Sequence, residues 1–129
     1  MIKFIEDKEL CIKLKEKGFD DGCILQFRGE DTQPVCQMGY ELNYEKNSDY
    51  NNEDNYWLAI PTYCQVSDWL REKHNIEVSS PARKTKDKGV FYGGYIKKNE
   101  WDYGKSYGSN FTDYYEACNH AIEEALNLI

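Results

Sequence analysis

The segment from Asp113 to Ile129 constrains this chain more than any other part of it. Tyr114, Ala117, Cys118, Ala121, Ile122, Ala125, Leu126 and Ile129 recur at i, i+3, i+4 and i+7 spacing. On a helix of ~3.6 residues per turn that spacing gathers them into one stripe. Asp113 and Glu116 supply the D-x-x-E pattern of a capped start. A helix with a single apolar stripe has to bury it against another element. The small side chains of Ala117, Ala121 and Ala125 leave room for a close approach. The segment predicts an amphipathic helix packed on a sheet.

The rest of the chain supplies the sheet and two more helices. Leu10, Cys11 and Leu14 repeat at helical spacing, predicting a helix from about Asp7 to Lys17. Gly18 stands where a left-handed cap is wanted, and Phe19 follows to fold back onto the helix. Cys23–Phe27 reads as a strand. So does Val35–Tyr44, where Met38, Tyr40, Leu42 and Tyr44 alternate with more polar neighbours. Residues 45–55 are Asn-rich and acidic and predict a surface loop; they lack the Gly and Glu register of an EF-hand calcium loop. Tyr56–Ile60 is a short strand stopped by Pro61. Thr62 and Gln65 then fit a capping box for a helix that buries Val66, Trp69 and Leu70 and turns Asp68, Arg71, Glu72 and Lys73 to water. Asn75 ends that helix, and Ile76–Val78 returns to strand.

Arg83–Lys88 is a short basic stretch of the kind found at a solvated hairpin tip. Gly89–Ile96 follows as a strand, with a bulge expected at Gly93-Gly94. A last short strand is expected through Trp101–Tyr103, and Gly104 and Gly108 bracket a loop. No repeat or linker divides the sequence. The expectation is an α+β fold, one domain over 1–129, with an antiparallel sheet, about three helices, and the C-terminal helix packed on the sheet.

Charge narrows the partners. Residues 1–60 carry 13 acidic against 7 basic side chains, a net of −6, while residues 61–129 carry 10 against 9, a net of −1. Phosphate binding takes an excess of Lys and Arg, so the total of −7 speaks against general nucleic-acid binding. The acidic first half favours a basic protein partner. The five cysteines, Cys11, Cys23, Cys36, Cys64 and Cys118, are odd in number and widely spaced. That pattern predicts neither a disulfide framework nor a structural zinc site, but small buried hydrophobes in a reducing compartment. The N-terminus has no long apolar run of the signal-peptide kind, and no stretch approaches the ~20 apolar residues of a membrane span. The expected location is the cytoplasm.

Nothing in the sequence favours an enzyme. His74 closes the middle helix, where a protonated ring suits the dipole, and His120 lies beside the stripe of the last. Cys64 and His74 are ten residues apart on one helix, a rise of ~15 Å. Cys118 and His120 point to different faces. Gly89, Gly93 and Gly94 precede no helix and form no phosphate-cradling loop. Catalytic residues, cofactors and metal ligands are therefore all expected to be none. A small hydrolase using Cys64 or Cys118 is the least supported reading.

Several local motifs form one recurring pattern. They are Pro61-Thr62, Gln65, Trp69–Glu72, His74–Ile76, a Gly-Tyr-containing strand, Tyr115–Cys118, Ala121-Ile122 and Leu128-Ile129, together with Lys15–Asp20 near the start. The pattern resembles a set of small uncharacterised proteins encoded by gut Bacteroidetes genomes and their phages or prophages. It covers a little under half of the chain and consists of caps, core positions and helix ends. The acidic loop and the basic stretch depart from it. The resemblance implies no activity, but it implies a phage-like setting, in which accessory proteins bind and inhibit host machinery.

The functional expectation is a phage-associated accessory protein that binds a basic host protein, such as a host defence factor, through Asp49, Glu53 and Asp54 of the acidic loop. The alternative is a small-ligand or peptide-binding domain that uses an aromatic sheet face bearing Tyr40, Tyr92 and Trp101.

Overall fold

The structure is a computed structural model that describes residues 2–23, 25–28, 35–36, 57–86, 89–98 and 105–129. These form two compact units, Met1–Val66 and Ser67–Ile129. The fold is α+β; the described residues form three helices and antiparallel strand pairs, with the C-terminal helix packed on a sheet. The strands fall into two sheets, one in each unit, where the sequence led us to expect a single one.

The first unit opens with α1, Lys8–Glu16. The Asp7 side chain caps it by accepting from the Leu10 N–H at 3.2 Å. Its other end closes on Gly18, whose φ of +96° costs a residue without Cβ nothing. The N–H of Phe19 donates to the Leu14 carbonyl and that of Gly18 to the Lys15 carbonyl, both at 3.0 Å. This paired cap turns the chain so that Phe19 is buried, as are Leu10, Cys11 and Leu14. The helix packs on β3, Trp57–Ile60. β3 and β2, Val35–Cys36, flank β1, Leu25–Arg28. Phe27, Leu58, Ala59 and Ile60 are buried there. The Ile5 N–H donates to the Pro61 carbonyl at 2.8 Å, tying the N-terminal segment to the end of β3.

The capping box at the start of α2, Tyr63–His74, is complete. The Gln65 N–H donates to the Thr62 hydroxyl at 3.1 Å, and the Thr62 N–H donates to Gln65 Oε1 at 2.9 Å. The Gln65 amide Nε2 also donates to the Gly22 carbonyl at 3.0 Å, so one side chain both starts a helix and anchors the segment leading to β1. Val66, Trp69 and Leu70 are buried, while Asp68, Arg71, Glu72 and Lys73 are exposed. Asn75 ends the helix at φ +55°, the left-handed conformation that Asn tolerates best among residues with a Cβ.

In the second unit β6, Gly89–Lys98, is the central strand. It pairs along one edge with β4, Ile76–Ser79, and β5, Ala82–Thr85, and along the other with β7, Lys105–Phe111. β4 and β5 hold the same register on β6: Ser79 faces Tyr95, and Ala82 faces Tyr92. They are two halves of one edge strand, interrupted at Ser80-Pro81 where proline has no N–H to contribute. The Pro81 carbonyl still accepts from the Gly93 N–H at 3.1 Å. Arg83–Thr85 of the basic stretch is thus strand, and Lys86 is in a turn. The bulge expected at Gly93-Gly94 is there: Tyr92 faces Phe111 but Gly94 faces Tyr107, so β7 carries the extra residues. The stretch between Gly104 and Gly108, expected as a loop, belongs instead to β7, which pairs with β6.

The closing helix α3, Tyr114–Leu126, is capped by the Asp113 carboxylate, which accepts from the Tyr115 N–H at 2.7 Å. Ala117, Ala121, Ile122, Ala125 and Leu126 are buried, and the helix packs on β4, β6 and β7. The stripe frays at its ends: Tyr114 and Ile129, expected in the core, are exposed.

Candidate functional site

Alternation along β6 assigns its side chains to two sides of the sheet. The even positions face α3. Tyr92 meets the Tyr114 ring edge-on with centroids 5.5 Å apart, and the Lys98 ammonium donates to the Leu128 carbonyl at 3.1 Å. Ile96 and Gly94 are buried between these two. Phe111, directly across from Tyr92, packs on the His120 ring at 5.3 Å. The odd positions turn away from α3, and there Phe91, Tyr95 and Lys97 are half-buried. On β4 and beyond, Glu77, Ser79 and Pro81 share that side and are exposed.

Of the residues singled out in the sequence, Tyr92 therefore lies on the helix-covered side. Asp49, Glu53, Asp54, Tyr40 and Trp101 lie outside the described residues, as does the acidic segment 45–55. Among the described residues, the aromatic rings of β6 on the side away from α3 are Phe91 and Tyr95. Period-2 alternation puts Phe91 and Tyr92 on opposite sides, but only the position of α3 decides which side is which.

Past its pair with Phe111, β6 continues with β5 as its only described partner, through Phe91↔Arg83, Val90↔Lys84 and Gly89↔Thr85. Gly89 turns the chain at φ +82°. This end of the sheet is a two-stranded ribbon on which Lys84, Lys86 and Val90 are exposed. Residues 83–88 carry four basic side chains against the one acid Asp87.

The groups with nucleophilic or basic chemistry are dispersed. His74 packs edge-on against Trp69, centroids 4.6 Å apart, and His120 against Phe111. Ser80 Oγ is sealed from solvent with no hydrogen-bond partner among the described residues, which leaves no access for a substrate. Among the described residues no group of three or more His, Cys, Asp and Glu is placed to hold a metal ion. Nor, among them, is any helix long and apolar enough to cross a membrane. Arg71 binds Glu77 through two nitrogens at 2.8 and 2.9 Å and Asp68 at 3.0 Å. The guanidinium holds the Glu77 carboxyl below its usual range. Its contribution is present above the ordinary carboxylate range and fades as pH falls through the lowered value, and exposure keeps it small.

Among the described cysteines Cys11 and Cys23 are buried, Cys118 is half-buried and Cys64 is exposed. The Cys11 thiol donates to the Ile5 carbonyl at 3.2 Å, and burial, with Asp7 and then Cys23 adding to it, pushes it up to about 12. Burial likewise pushes Cys23 up to about 12, Asp21 adding to the effect and the contact with Gln65 opposing it. Cys64, expected as a buried hydrophobe, is exposed because it occupies the outer face of the first turn of α2. The thiolate is the reacting species, so a thiol reagent at pH 8 should label Cys64 and spare Cys11 and Cys23 until the chain unfolds. Peptide mapping of the labelled sites checks this; labelling of Cys11 in the folded protein at the rate of Cys64 would contradict the buried placement.

No protein-family model, curated protein or solved structure matches the chain.

Proposed function

We propose that this chain is a non-enzymatic binding protein of phage or prophage origin, which acts by docking its acidic half on a basic host protein. One observation carries the reading: the charge division coincides with the division into units. Met1–Val66 holds 13 acidic and 7 basic side chains and Ser67–Ile129 holds 10 and 9, so one compact unit carries nearly all the excess charge. An acidic excess of this kind steers encounter with a partner of opposite sign and repels wrong ones.

Immobilised protein should capture a basic protein from host lysate and release it as salt rises. Neutralising Asp49, Glu53 and Asp54 to Asn or Gln should slow association severalfold, because steering depends on charges within a screening length of ~8 Å at physiological salt. Capture indifferent to both salt and the triple change would refute the electrostatic reading. A second reading, a small-ligand or peptide site, draws support from the half-exposed rings of Phe91 and Tyr95. It predicts a metabolite or peptide hit in a thermal-shift screen, which the first does not.

A further inference from the structure

We draw no further inference here: the strongest candidate, the surface patch at the end of the β5–β6 ribbon on the α3 side, with Lys84, Val90 and Tyr114 exposed, is an unpartnered face, and nothing in the structure shows what covers it.

Discussion

Leu126→Ala should lower the melting temperature by on the order of 10 °C or more. Leu126 is 1% exposed at the last turn of α3, on the line of Ala117, Ala121, Ile122 and Ala125 that meets the sheet. Truncating a buried Leu removes its transfer free energy and leaves a cavity that relaxes only in part, at a cost of ~2–5 kcal/mol. Against a typical domain stability of ~5–15 kcal/mol that is a large fraction, and in a chain of this length each kcal/mol moves the midpoint by several degrees. Leu128 is the matched control. It lies two residues on and is 37% exposed, so Leu128→Ala should change stability by no more than ~0.5 kcal/mol. Thermal unfolding of the pair separates burial from the loss of a leucine side chain as such, since Leu128 lies just past the helix and is exposed. Equal shifts would show that the stripe does not form the core of the second unit.

The elements legible in the sequence are those whose evidence is local. Gly18, Thr62, Gln65, Asn75 and Asp113 each act within one helical turn, and each caps the end assigned to it; Asp7, read as the approximate start of the first helix, is its cap. Gly93-Gly94 marks where the register of β6 with β7 shifts, although the extra residues lie on β7. β7 itself is not legible, because its backbone is a strand only by virtue of β6. Gly104 and Gly108 read as loop punctuation, and Gly108 instead falls in the stretch of β7 that carries the extra residues of the bulge. The basic stretch illustrates the same limit. Four cations around a turn residue look like a tip, yet Arg83–Thr85 pair with Gly89–Phe91 as strand. Among candidate site residues, the charge imbalance is fully legible because it is a count. Side selection is not, since a shift of one position along a strand exchanges its two faces. Tyr92 and Phe91 are neighbours in sequence, and α3 covers the side of the former.

The second large effect is expected in the other unit. Phe19→Ala should destabilise Met1–Val66 by ~3–5 kcal/mol, the range for emptying a buried Phe site. Phe19 is 1% exposed just beyond α1. The chain reverses there through the left-handed Gly18 and the Phe19 N–H bond to Leu14. A cap of this geometry favours an apolar contact between the residue after the glycine and the last turn of the helix, and Leu14 is buried as completely as Phe19. Gly18→Ala isolates the backbone part. An added Cβ meets nothing within 4 Å there, so its cost is the left-handed conformation alone, ~1–2 kcal/mol. Phe19→Ala should therefore exceed Gly18→Ala in its effect, by denaturant midpoint at constant m. Cys11 gives an independent readout, because it is buried on the same helix as Leu14. Labelling of Cys11 in native buffer should accelerate markedly in Phe19→Ala and only slightly in Gly18→Ala. If the glycine substitution costs more than the phenylalanine one, or Cys11 stays equally protected in both, the reversal after α1 is held by its backbone bonds and not by the buried ring.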